Sequence, residues 1–224
     1  MSSVGFVGPV KDVQAMRSFA KEINGAKKAE YVESRRRLGI TKERVFLVDT
    51  PMGTLSPVYN EGLNAAFMMS RAKSSSNPFD KYFLETIAKI YGADFTTIPA
   101  GPPPNLAFEW KNGKQGKSST MIGAPVKDSG TFWQFCREMS SRYTEHGESR
   151  QRAGITLERV FFLHEAKMVA VYIEGDDPGR SMQTVMSSTG TYDKWFTDRA
   201  SAIHGIDFRA TPPPTPELLV AFDG

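Results

Sequence analysis

Two short segments pair a phenol with a carboxylate: Tyr59 and Glu61 in Val58-Tyr59-Asn60-Glu61-Gly62, and Tyr172 and Glu174 in Val171-Tyr172-Ile173-Glu174-Gly175. Residues two apart share a face of a strand, so in each segment the two groups stand side by side. A carboxylate held in a partly apolar interior has its charged form disfavoured and becomes a usable acid or base. Val169, Val171 and Ile173 alternate with the second pair and suit packing against helices. Tyr and Glu are then expected to point the other way, into an interior space. The structural reading is that Glu61 and Glu174 precede Gly at a strand end and are merely solvated there. The sequence leaves both readings open, with Tyr172, Glu174, Tyr59 and Glu61 as catalytic candidates.

A fifth catalytic candidate is His164, whose counterpart is Asp49. A position where similar segments differ in ionisable type marks one specialised site, or a His that simply ends a strand. Lys11 and Lys127 each precede a helix start, where a lysine beside backbone N–H donors suits a ligand carboxylate or phosphate. With Asp49 they are the ligand-binding candidates. Glu33/Arg37 and Glu148/Arg152 have helical i,i+4 spacing and read as structural pairs. The three histidines show no metal-ligand spacing. Neither a Gly-rich phosphate loop nor a nucleophile elbow occurs.

These candidates come in pairs because the chain is duplicated. Glu33-Ser34-Arg35-Arg36-Arg37-Leu38-Gly39-Ile40-Thr41-Lys42-Glu43-Arg44-Val45-Phe46 recurs as Glu148-Ser149-Arg150-Gln151-Arg152-Ala153-Gly154-Ile155-Thr156-Leu157-Glu158-Arg159-Val160-Phe161. Pro9-Val10-Lys11-Asp12 recurs as Pro125-Val126-Lys127-Asp128, and Gly92-Ala93-Asp94-Phe95 as Gly205-Ile206-Asp207-Phe208. Motifs repeated in one order imply two similar modules packed as a pseudo-dimer. The expected boundaries are 1–110 and 120–224, with the polar, Gly-containing stretch 111–119 as linker.

Each module reads as strand, helix, strand, strand, helix, strand. Asp12 and Asp128 are expected helix N-caps, and Gly39 and Gly154 left-handed C-terminal caps. Val13, Met16, Phe19, Ala20 and Ile23 form one helical stripe; Phe132, Phe135, Cys136, Met139 and Tyr143 form the other. Leu106–Trp110 and Leu218–Phe222 are the expected closing strands. The order is that of the ferredoxin-like βαββαβ unit, so the fold class expected is α+β.

With 224 residues, 40% hydrophobic and 24% charged, the composition is that of ordinary globular proteins. A net charge of +3 is too small to argue for nucleic acid or an anionic membrane as partner. No stretch approaches the ~20 apolar residues of a membrane span. The single cysteine, Cys136, excludes an internal disulfide and fits a reducing compartment. A cytoplasmic chain, monomeric with an internal pseudo-dimer, is expected; a homodimer stays open.

On element order and duplication the chain resembles the dimeric α/β-barrel superfamily, which includes the stress-responsive A/B-barrel, EthD-like and antibiotic-biosynthesis-monooxygenase families. The resemblance implies two ferredoxin-like modules forming a pseudo-dimeric α/β barrel with an interior pocket. It further implies a small-molecule binding protein or a cofactor-independent enzyme of proton-transfer or oxygenation type. A haem held by His204 is the minor alternative, as some relatives hold haem through a helix histidine. The rival expectation is a non-catalytic scaffold or interaction module with a packed barrel core.

Overall fold

The computed structural model describes residues 2–63, 65–95 and 102–224. The chain divides into two compact units, 1–104 with 216–224, and 105–215.

In unit 1, β1 (Ser2–Pro9), α1 (Val13–Asn24), α2 (Lys28–Arg37), β2 (Ile40–Thr50), β3 (Gly53–Gly62), α3 (Met68–Lys73) and α4 (Pro78–Tyr91) are joined by β8 (Glu217–Asp223). The sheet is antiparallel, in the order β1-β3-β2-β8. In unit 2, β4 (Asn105–Lys111) precedes β5 (Ser118–Pro125), α5 (Ser129–Ser141), α6 (Tyr143–Arg152), β6 (Ile155–Leu163), β7 (Met168–Gly175), α7 (Pro178–Ser187) and α8 (Thr191–His204). Its sheet runs β4-β6-β7-β5, again antiparallel. The α+β class with two ferredoxin-like modules therefore stands. Among the described residues no helix is long and apolar enough to cross a membrane.

The closing strands depart from the expected boundaries. The sequence places Leu106–Trp110 in the first module and Leu218–Phe222 in the second; in the structure they are exchanged. β4 pairs with β6, and β8 with β2. Each is fastened by the Arg of the repeated Glu-Arg pair. Arg44 binds both Asp223 carboxylate oxygens, at 2.7 and 2.9 Å, and Arg159 Nε donates to Glu109 at 2.6 Å. Apolar alternation marks a segment as a strand but is blind to which sheet receives it, and both segments carry the same alternation.

Local signals behaved as the residue chemistry requires. Asp12 and Asp128 accept from the N–H groups of Ala15 and Thr131 at 2.8 and 2.7 Å, capping α1 and α5. Gly39 and Gly154 lie at φ +77° and +76°, the left-handed region that glycine enters without strain. One helix running to each of these glycines is the sequence expectation; two are found. The break falls at Gly25 in unit 1 and at Arg142 in unit 2. It turns α2 and α6 so that Arg35 and Arg150 face inward, each fully buried.

Candidate functional site

In each unit a buried arginine meets a buried glutamate of the neighbouring strand. Arg35 Nε donates to Glu43 Oε2, and Arg150 Nε to Glu158 Oε2 at 2.5 Å. Ser34 and Arg37 bind Asp80 at 2.5 and 2.9 Å, while Ser149 and Arg152 bind Asp193 in the same way. Burial works against the charge on Asp80, but hydrogen bonds from Ser34, Ser75 and Arg37 outweigh it and lower its pKa. The repeated block is thus mainly a structural ion network holding the second helix to sheet and to fourth helix. The pair at Glu33 and Arg37 does form, at 3.4 Å, but on the exposed rim of that network.

The two networks end differently. In unit 2, Arg150 also reaches Glu158 Oε1, at 3.4 Å. In unit 1, Arg35 Nη2 is buried with no hydrogen-bond partner. Beside it opens a cavity of about 390 Å3, between the sheet of unit 1 and its helices. Ser56, Val58 and Asn60 of β3 form its floor with Val45. Its walls include Met16, Phe19, Phe83, Ile87 and Met68, and Tyr31, Arg35 and Glu43 close one end. Ser56 Oγ and both polar atoms of the Asn60 side chain are also buried without a hydrogen-bond partner. Four orphaned polar atoms thus border one apolar cavity, where each costs about 1–3 kcal/mol unless something satisfies it.

Of the other polar groups lining the cavity, Glu43 is the carboxylate paired with Arg35, Lys73 also has a partner, and the two tyrosines are neutral. The Tyr31 hydroxyl donates to Glu43 Oε2 at 2.7 Å, and burial, with the Glu43 charge, drives its pKa well up. Burial likewise raises the Tyr91 phenol pKa, opposed by the Ser56 hydroxyl, which stands near the phenol but outside hydrogen-bonding geometry. Both phenols are therefore donors near neutral pH. The Arg35 guanidinium stacks over the rings of Phe83 and Tyr31, at 4.1 and 4.5 Å from ring centre to Cζ.

Unit 2 shows what the same positions look like when filled. Strand register aligns Glu43 with Asn60 in unit 1 and Glu158 with Ile173 in unit 2; Gly8 faces Ser56, and Ala124 faces Val169. Ser56 and Asn60 thus correspond to Val169 and Ile173. Met16 corresponds to Phe132, which stacks on Phe162 at 5.0 Å. Tyr31 corresponds to His146, whose Nδ1 lies 2.8 Å from the Tyr192 hydroxyl and whose Nε2 lies 3.3 Å from Glu158.

The sequence candidates fall elsewhere. Tyr59 and Tyr172 are fully buried on the sheet face opposite the helices, as alternation requires, and each donates to the Glu two residues on. The Tyr172–Glu174 bond is 2.8 Å long. Neither pair lines the unit 1 cavity, which lies on the helix-covered face. His164 is exposed, 4.7 Å from the Phe162 ring and 6.4 Å from Trp133. Asp49 accepts from Thr54 Oγ1 across the β2–β3 hairpin at 2.6 Å. Lys11 reaches the Gly92 carbonyl at 3.4 Å, and Lys127 lies over Gly205. Both lysines thus sit at the C-terminal end of α4 or α8, where the helix dipole favours a cation, rather than at a free helix N-terminus. His204 donates from Nδ1 to the Pro125 carbonyl at 2.6 Å, tying α8 to β5. No group of three or more His, Cys, Asp or Glu among the described residues could hold a metal ion.

Arg35, Ser56 and Asn60 escaped the sequence reading. The usable signal was departure from the repeat: Val-Tyr-Asn-Glu-Gly against Val-Tyr-Ile-Glu-Gly places a polar residue on the helix-facing side of one copy only.

Three solved structures share this fold. One is a monooxygenase by provisional assignment from Fusobacterium nucleatum, 12% identical, with 99% of this chain and 93% of that chain covered and a TM-score of 0.56. A second provisional monooxygenase, from Lactobacillus acidophilus, is 11% identical over 100% of this chain and 97% of its own, with a TM-score of 0.56. An anthrone oxidase-like protein is 13% identical over 99% and 92%, with a TM-score of 0.54. No protein-family model matches the chain, and no curated protein matches it in sequence.

Proposed function

We propose that this chain binds a small, largely apolar organic molecule in the cavity of unit 1 and acts on it as a cofactor-independent enzyme. The observation that carries this reading is the set of four orphaned polar atoms, on Arg35, Ser56 and Asn60, around a cavity of about 390 Å3. Ligand sites are typically roughly 300–1,000 Å3, mostly apolar, with a few convergent polar groups. Arg35 Nη2 and Asn60 Nδ2 are two donors, one cationic, in a low-dielectric setting. They are suited to an enolate or phenolate oxygen, whose formation they favour. Tyr31 and Glu43 hold Arg35 in place.

The names of the structural neighbours support oxygenation as the chemistry. In that reading a CH2 flanked by aryl groups becomes C=O; one oxygen atom of O2 enters the product and the other leaves as water. Anthrone is the natural first probe, with one O2 consumed per molecule oxidised. Calorimetry on the intact chain, with a panel of phenols and enolisable aryl ketones, tests binding; an oxygen electrode tests turnover. Binding lost in the Ser56→Val/Asn60→Ile variant supports the cavity as the site. Binding that survives this variant unchanged refutes it. Binding without oxygen uptake for any panel member leaves a small-molecule binding protein or a proton-transfer enzyme.

A further inference from the structure

Resting on the reading that the unit 1 cavity takes a ligand, we infer that this ligand is polar at both ends. It is a flat, mostly apolar molecule with one oxygen held at Arg35 and Asn60 and a second at Ser56 and Tyr91. Asn60 and Ser56 lie four residues apart on the same face of β3. Their Cα atoms are therefore separated by about 13 Å, with Val58 between them. Helix α4 repeats the pattern on the opposite wall. Phe83, stacked on Arg35, lies at one end and Tyr91, beside Ser56, at the other, eight residues or about 12 Å along the helix. Ile87 stands between them and lines the cavity. Strand and helix thus agree on one long axis, apolar in the middle and polar at each tip.

The tips differ in chemistry. Arg35 Nη2 and Asn60 Nδ2 donate, and Arg35 is charged, so this end suits a carbonyl, enolate or phenolate oxygen. Ser56 and the protonated Tyr91 offer neutral hydroxyls and suit a hydroxyl or ketone. A ligand with a single polar end leaves one tip buried and unpaired, so it forgoes part of the affinity the site can give. In unit 2, Val169 and Ile173 stand at the positions of Ser56 and Asn60, which shows that the sheet tolerates an apolar residue at each.

The probes are biphenyl, its single para-phenol and its para,para′-diphenol, titrated calorimetrically against the whole chain. The variants are Ser56→Val and Asn60→Ile, each introducing the residue unit 2 already carries; thermal melts confirm that they fold. The diphenol is expected to bind roughly tenfold tighter than the monophenol. Ser56→Val should abolish that advantage while leaving the monophenol unchanged, and Asn60→Ile should weaken both phenols. A diphenol no tighter than the monophenol overturns the two-ended ligand, as does a Ser56→Val effect equal on both. If none of the three probes binds the folded wild-type chain, the cavity reading itself fails, and the two-ended ligand with it.

Discussion

Unit 1 and unit 2 carry the same sheet order, the same caps and the same buried Arg–Glu pair, yet unit 1 holds a cavity behind its sheet where unit 2 places aromatic and aliphatic side chains at the matched positions. The difference rests on a few substitutions at matched positions. Met16, Ser56, Asn60 and Tyr31 stand in unit 1 where unit 2 has Phe132, Val169, Ile173 and His146. The aromatic groups of unit 2 fill space and face one another: Phe132 lies 5.0 Å from Phe162, and Phe108 lies 4.7 Å from His146. The two units share one scaffold. Unit 2 also buries polar atoms without a hydrogen-bond partner, on Thr120, His146, Thr156 and Thr197; those of Arg35, Ser56 and Asn60 differ in bordering one cavity, where a ligand could satisfy them.

Packing should separate the units most sharply. Phe132→Ala, which truncates a side chain only 2% exposed, is expected to cost about 3–5 kcal/mol. Met16→Ala, at the wall of an existing cavity, should cost about 2 kcal/mol or less, because fewer atoms lose partners. Urea unfolding of both variants gives the two numbers; equal losses would mean that unit 1 is as tightly packed as unit 2.

The shared ion network should show parity instead. Arg35→Leu and Arg150→Leu each strand a buried glutamate and should each cost about 3–5 kcal/mol. A cost confined to Arg150 would show that the Arg35 pair contributes to ligand binding rather than to folding.

Filling the polar positions of the hollow unit reverses the sign. Asn60→Ile removes two orphaned atoms and should stabilise the free chain by about 1–3 kcal/mol. Ser56→Val, with one orphan, should give less. A destabilised Asn60→Ile melt would mean that Asn60 is satisfied in the free protein.

The smallest effect concerns pH. His146 and His204, both in unit 2, have their imidazole pKa lowered, chiefly by burial; Arg150 adds to this at His146, against Glu158, while the Pro125 carbonyl opposes it at His204. The folded state then binds fewer protons than the unfolded one. Stability is full above the unfolded imidazole pKa of about 6.5 and falls as pH drops below it, by at most ~1.4 kcal/mol per pH unit for each His. The corresponding residues of unit 1 are Tyr31 and Tyr91. The His146→Tyr/His204→Tyr variant should therefore flatten the stability profile between pH 7 and 5. An unchanged slope would place the dependence on other groups.

Much of the scaffold was legible from residue types. Asp12, Asp128, Gly39 and Gly154 do what their chemistry dictates, and the valines of β7 face the helices as their alternation requires. Two things were not legible. The exchange of closing strands was hidden because Leu106–Trp110 and Leu218–Phe222 show the same pattern, and pattern encodes burial rather than partner. The cavity was hidden because alternation says which residues share a face, not how well the opposing helices fill the space above it. Attention to what the copies share led to Tyr59 and Glu61. The residue between them, Asn60, differs between copies and is the one that faces the cavity. Arg35 was masked for a related reason: the i,i+4 spacing of Glu33 and Arg37 drew the eye to the outer side of α2, while a bend at Gly25 turned Arg35 inward.

The exchanged strands set a clock on how unit 1 is completed. Arg44 and its partner Asp223 are 179 residues apart in sequence. At ~5–20 residues per second, a ribosome needs roughly nine to thirty-six seconds to deliver β8 after β2 has emerged. Throughout that interval the outer edge of β2 is a row of unpaired peptide groups, a template for any passing strand. A nascent unit 1 would be the chaperone-dependent half of this protein. Chains released early, lacking 217–223, would be the ones to pair with each other.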